Sequence, residues 1–143
     1  MTTLQQLIDY KGRSVYAVGP DSPVIDAVRI MAENHVGALL VMQSDKLEGI
    51  ISERDYARKV VLKGRSSSDT PVRDIMTAPV ITVAPQASVN DAMRIMTEQR
   101  IRHLPVVSGA SKVLGVVSIG DLVKSVIDEQ RHQIEDLETY IRG

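Results

Sequence analysis

The 143-residue chain contains no cysteine, no phenylalanine and no tryptophan, so four tyrosines supply all of its Phe, Tyr and Trp content. Without cysteine there is no disulfide, no thiolate nucleophile and no thiolate metal site; this fits a reducing interior and makes the cytoplasm the expected compartment. The core must be built from Val, Ile, Leu, Met and Ala. No apolar run approaches the ~18 residues of a membrane span, and no membrane partner is expected. The opening Met1-Thr2-Thr3-Leu4-Gln5-Gln6 has neither a basic nor an apolar segment, so no targeting signal is expected there. An excess of one charge is also lacking. The formal net charge is −1, with 17 Lys and Arg against 18 Asp and Glu, which supplies no general attraction to nucleic acid or anionic lipid. Enzyme signatures are equally sparse. The histidines are His35, His103 and His132, no nucleophile is paired with a base by motif, and nothing resembles H-E-x-x-H. Neither an enzyme nor a required metal is expected.

What is present is ordinary for a globular protein: 43% hydrophobic and 24% charged residues. The length suits about one domain, so any division is internal.

That division is a repeat. Shifting the chain by 65 positions lays Val15–Val41 on Val80–Val106, with twelve identities in 27 pairs, among them Pro20/Pro85, Val24/Val89, Asp26/Asp91, Met31/Met96 and Leu39/Leu104. Chance gives roughly two or three. After one inserted residue the match resumes, pairing Gly49 with Gly115, Ser52 with Ser118 and Asp55 with Asp121. Each copy opens with a β-rich run, Val15–Val18 or Val80–Val83, ending at Pro. A helix follows, with Ser22-Pro23 or Ser88 at its start and apolar residues at Val24, Ala27, Val28, Met31 or Val89, Ala92, Met93, Met96, the spacing that buries one face. The runs Ala38–Met42 and Leu104–Val107, each followed after a polar stretch by another from near Leu47 or Val113, predict hairpins. A second helix starts at Ser52 or Ser118. The unit is β-α-β-β-α, with a parallel first crossover. Helix-like leads, Leu4–Ile8 and Thr70–Met76, precede the two copies.

The expected organisation is α/β: repeat 1 over 4–64, a linker over 65–69 polar and small enough to be mobile, repeat 2 over 70–127 and a helical tail over 128–143. Two such ~60-residue copies are marginal singly and are expected to pack as one pseudo-twofold module.

The recurring segments Gly49-Ile50-Ile51-Ser52-Glu53-Arg54-Asp55 and Gly115-Val116-Val117-Ser118-Ile119-Gly120-Asp121 place a hydroxyl and a carboxylate at a helix N-terminus. One reading is a Ser-x-x-Asp capping box that satisfies orphan backbone donors. The other is a ligand site, because free N–H groups and the helix dipole attract phosphate while a carboxylate one turn in can accept both hydroxyls of a ribose. Positive charge stands near by. Arg102 and His103 open a strand, and Arg54 lies in the first turn of its helix, where it opposes the dipole. The first copy has Gly37 and Ala38 where the second has Arg102 and His103; its backbone can approach a flat base but brings no charge.

Both copies resemble cystathionine-β-synthase (CBS) domains, and together a stand-alone Bateman module, in the strings Val36-Gly37-Ala38-Leu39, Gly49–Tyr56, Asp74-Ile75-Met76-Thr77, Arg100–Val107 and Val117–Asp121. The resemblance implies a regulatory module binding adenosine-containing ligands (AMP, ADP, ATP, NAD(H) or S-adenosylmethionine) in the cleft between the copies. It implies ribose contacts from Asp55 and Asp121, ribose or phosphate contacts from Ser52 and Ser118, and base and phosphate contacts from Val36-Gly37-Ala38 and Ile101-Arg102-His103. Thr77 matches a further contact; its counterpart Gly12 departs from the pattern, so the two sites need not be equivalent. A homodimer and an unidentified regulated protein are the partners it implies. The alternative is an interaction or scaffold module without a small ligand.

The tail from Asp121 to Gly143 reads as one helix with Val123, Ile127, Gln130, Ile134, Leu137 and Ile141 on one stripe. It is expected to pack on the module or across a dimer.

Overall fold

The structure, a computed structural model, describes residues 2–12 and 15–142. Met1, Arg13, Ser14 and Gly143, the last residue of the expected tail, lie outside the described residues. The element order is α1 (Leu4–Lys11), β1 (Ala17–Val18), α2 (Val24–Asn34), β2 (Ala38–Gln43), β3 (Lys46–Ser52), α3 (Glu53–Tyr56), α4 (Val89–Gln99), β4 (His103–Val107), β5 (Val113–Ser118) and α5 (Ile119–Arg142). The α3 helix continues as a wider π-type turn over Ala57–Val61, and a single 3-10 turn spans Val72–Asp74.

The hairpins form in antiparallel register, Leu39 opposite Ile51 and Leu104 opposite Val117, each with an irregularity after Val41 or Val106. The opening strands are shorter than the β-rich runs suggested. β1 pairs in parallel with β2 through two residues, and in the second copy only Val83 bridges, also in parallel, to Val106. On the helices Val24, Ala27 and Met31, and likewise Val89, Ala92 and Met96, are buried, while Val28 and Met93 pack at the margins. The two helix starts differ. Ser88 caps α4 reciprocally with Asp91, whereas the cap position of α2 is Pro23 and no side chain caps it. Ser22 therefore stands one residue too early to cap, since the repeat aligns Pro23 with Ser88.

The chain folds as two compact units that interleave with the repeats: Met1–Arg13 with Thr82–Gly143, and Ser14–Ile81. In the first, α1 joins the second copy. Leu4, Leu7 and Ile8 are buried with Val89, Ala92, Met96, Leu104, Val106, Val117 and Leu122. In the second, the lead before the second copy joins the first, burying Val72 and Ile75 with Val24, Met31, Leu39, Val41 and Ile51. Backbone bonds repeat the arrangement: Leu4 N–H to Ala87 C=O and Gln5 N–H to Pro85 C=O in one unit, Val72 N–H to Ser22 C=O and Arg73 N–H to Pro20 C=O in the other, all 2.9 Å. Burying each large apolar side chain of a lead contributes about 1.5–3 kcal/mol, so two or three such residues suffice to hold it.

The expected mobile linker is fastened within its unit. Ile25 N–H donates to Ser67 C=O at 3.0 Å, Thr70 N–H to Ser66 C=O at 3.0 Å, and Arg65 pairs with Asp74 at 3.0 Å. The backbone carbonyls of Ser66 and Ser67 make the first two of these bonds, and the Ser67 hydroxyl adds a side-chain bond with the Tyr56 hydroxyl at 2.9 Å. The tail is continuous with the second helix of its copy, and every residue from Gln130 to Arg142 is exposed, the stripe residues Ile134, Leu137 and Ile141 among them.

Candidate functional site

Both copies build the same corner. His35 and Arg100 end their helices in the left-handed conformation, φ 54° and 55°, which turns the chain into the following strand. The next residues, Val36 and Ile101, donate their N–H to Met31 and Met96 C=O at 3.1 Å and pack against the cores. Then Gly37 C=O accepts from Glu53 N–H at 3.0 Å, and Arg102 C=O from Ile119 N–H at 2.9 Å. One ladder step on, Ala38 stands opposite Ser52 and His103 opposite Ser118. Strand start and helix N-terminus are therefore brought together in each copy, Gly37-Ala38 with Ser52-Asp55 and Arg102-His103 with Ser118-Asp121. Arg102 and Arg54 are exposed, and Arg54 stands in the first turn of α3.

Both Ser-x-x-Asp segments are capping boxes. Ser52 Oγ accepts Asp55 N–H at 3.2 Å and Asp55 Oδ2 accepts Ser52 N–H at 3.0 Å; the corresponding distances for Ser118 and Asp121 are 3.1 and 2.9 Å. Two first-turn donors of each helix are thus taken, one by the strand-start carbonyl and one by the serine. Less backbone capacity remains for a phosphate than an uncapped terminus would offer.

Two lysines that the sequence did not single out complete the corners. Lys59 pairs with Asp55 at 3.1 Å and donates to Ile75 C=O at 2.9 Å; Thr77 Oγ1 reaches Asp55 Oδ1 at 3.3 Å. Lys11, from α1, pairs with Asp121 at 2.6 Å and donates to Val116 C=O at 2.9 Å. The Lys59 pair follows i, i+4 spacing and was legible. The Lys11 pair spans 110 residues and depends on where α1 docks. Burial pushes the Asp121 carboxyl upward, but the Lys11 ammonium and the Ser118 N–H and hydroxyl outweigh it and hold the group below its ordinary value.

The leads approach at glycines. A Cβ on Gly49 would stand 2.6 Å from Met76 Sδ and 3.1 Å from Thr77 C=O; one on Gly115 would meet Ile8 at 3.2–3.3 Å. Thr77 is bound edge to edge with Ile50, N–H to C=O in both directions at 2.8 and 3.1 Å. By packing, Met76 corresponds to Ile8 and Pro71 to Thr3, 68 positions apart rather than 65. The structural place of Thr77 is thus not taken by Gly12, whose side of the corner is served by Lys11. No group of three or more His, Cys, Asp and Glu residues able to hold a metal occurs among the described residues, and no described helix is long and apolar enough to cross a membrane.

Comparison with known proteins places these corners in a family. A CBS-domain profile matches residues 8–62 and 72–128. The mitochondrial CBS domain-containing protein CBSX3 of Arabidopsis thaliana is 43% identical over 99% of this chain and 73% of its own length. A solved CBS-domain structure from Burkholderia ambifaria MC40-6, named for signal transduction, is 52% identical with TM-score 0.86, covering 90% of this chain and 96% of that one. A hexameric CBS-CP12 protein from bloom-forming cyanobacteria is 29% identical with TM-score 0.76, covering 85% of this chain and 66% of that one.

Proposed function

The chain belongs to the CBS-domain family, and from that premise we propose that it is a regulatory module, not an enzyme, that senses an adenosine-containing ligand: AMP, ADP, ATP, NAD(H) or S-adenosylmethionine. The observation that carries the reading is the repeated corner, in which a strand start and a helix N-terminus are hydrogen-bonded together around a carboxylate. The signal-transduction name of the Burkholderia relative agrees with it. In this reading Asp121 and Asp55 hold ribose, Ser118 and Ser52 lie beside it, and Arg102 with His103 meets phosphate at the second corner. Val36, Gly37, Ala38 and Ile101 border the base, and Thr77 adds its hydroxyl to the first corner. Because Gly37-Ala38 brings no charge, the second corner is the phosphate reader. The output acts on a separate regulated protein, and the hexameric CBS-CP12 neighbour supports self-association as part of it. The Arabidopsis relative is named as mitochondrial, so the lack of cysteine does not by itself select the cytoplasm.

A second reading is favoured by one observation. Each carboxylate already has a capping serine and a lysine, which is sufficient employment for a purely structural role in a scaffold module. Thermal-shift and calorimetric titration with AMP, NAD and adenosine separate the two. Sensing predicts a rise in melting temperature by mass action and a loss of about 10–100-fold in AMP and NAD affinity for Arg102→Ala, with adenosine little changed. No shift with any adenosine ligand would leave the scaffold reading.

A further inference from the structure

We propose that the C-terminal part of α5 is the self-association seam of this protein, pairing in parallel and in register with α5 of a second copy. Ile134, Leu137 and Ile141 are 56%, 62% and 81% exposed, on a helix whose residues from Gln130 to Arg142 are all exposed. The stripe Val123, Ile127, Gln130, Ile134, Leu137, Ile141 alternates four and three, so Ile127, Ile134 and Ile141 take the a positions of a heptad and Val123, Gln130 and Leu137 the d positions. Isoleucine at a with leucine at d favours two parallel strands; here all three a positions are isoleucine, and Leu137 at d completes the pattern in the last heptad.

The single polar residue in the stripe and the flanking charges choose the orientation. In parallel, Gln130 faces Gln130 of the second copy and the two amides hydrogen-bond to each other, which fixes the register. An antiparallel pairing with full overlap sets each Gln130 against Ile134, leaving two amides against hydrocarbon. The same arrangement brings Arg131 against Arg131, and its gain is two rim pairs between Lys124 and Glu138. Unpaired buried amides cost more than exposed ion pairs return. In parallel the g positions Val126, Gln133 and Tyr140 are uncharged and face the e positions Lys124, Arg131 and Glu138, so no like charges are opposed. The occupant that suits this face is a second copy, because its one hydrogen-bonding residue is complementary to itself. The inference stands independently of whether the corners bind a nucleotide.

The test is analytical ultracentrifugation of the full chain over a concentration series. Wild type is expected to dimerise, and Ile134→Glu and Leu137→Glu, both at exposed positions and so compatible with the monomer fold, to weaken dimerisation at least about a hundredfold with unchanged melting of the monomer. Since the chain has no cysteine, Ile141→Cys reports orientation by itself. In parallel the two thiols adjoin and oxidise to a linked dimer, whereas Tyr10→Cys, equally exposed outside the seam, does not. A monomeric wild type, or a dimer indifferent to both glutamates, would overturn the seam. A glutamate-sensitive dimer that fails to link at position 141 would overturn the parallel register.

Discussion

The pair between Lys11 and Asp121 ties the first helix of the chain to the N-terminus of the last, and its strength can be measured. The side chains are 33% and 26% exposed, their polar atoms 2.6 Å apart. A charge-assisted hydrogen bond between buried partners is worth about 1.5–3 kcal/mol and an exposed ion pair about 0.2–1 kcal/mol; partial exposure here argues for a coupling of about 1 kcal/mol. Lys11→Met keeps the aliphatic stem packed on α1, and Asp121→Asn keeps an oxygen to accept the Ser118 N–H. The double variant should therefore lose less than the two singles added together, by about 1 kcal/mol, or about 3 °C in melting temperature for a chain of this size. The pH dependence has a fixed sign. The folded carboxyl ionises below its ordinary value of 3.8, so the coupling is complete above that value and is lost as pH falls through the lowered one. Urea unfolding of the four proteins at neutral pH and again in strong acid reads both effects. Additive losses at neutral pH, or a coupling that survives when the carboxylate is protonated, would refute the assignment of Lys11 as the partner that holds Asp121.

Ser88→Ala should destabilise by about 0.5–2 kcal/mol through loss of the α4 cap, while Ser22→Ala, whose side chain caps nothing, should be near neutral in the same thermal melts. Gly49→Ala should cost about 1–3 kcal/mol, because its Cβ would press on the Thr77 carbonyl as well as Met76, and more than Gly115→Ala, whose Cβ would meet side-chain carbons of Ile8 at 3.2–3.3 Å and come less close. A 2′-deoxyadenosine nucleotide should bind wild type about tenfold more weakly than its ribose parent and lose little further in Asp121→Asn, since both changes remove one interaction. Equal affinities of the two ligands, measured by calorimetry, would return Asp121 to capping alone.

The features legible in the sequence are those whose interactions close within a few residues or repeat along the chain. The Ser-x-x-Asp boxes at Ser52 and Ser118 are i, i+3 contacts, the faces of α2 and α4 follow from 3.6-residue periodicity, and the two hairpins follow from apolar runs separated by short polar segments. Even the Lys59–Asp55 pair is one helical turn long. What tertiary structure decided is which core each lead enters. Leu4, Leu7 and Ile8 have the pattern to bury a helix face, but nothing local says that the face belongs with Leu104 and Val117. That choice is made by where complementary backbone groups, those of Ala87 and Pro85, await donors, and by the glycine opposite Ile8 that leaves room for it. The same docking carries Lys11 to Asp121 across 110 residues and displaces the correspondence of the leads from 65 to 68 positions. It also left the stripe of α5 uncovered, because Leu122 and Val126 already complete the core and the helix runs on past it. Periodicity can announce that a face is apolar; only the packed neighbours determine what, if anything, covers it.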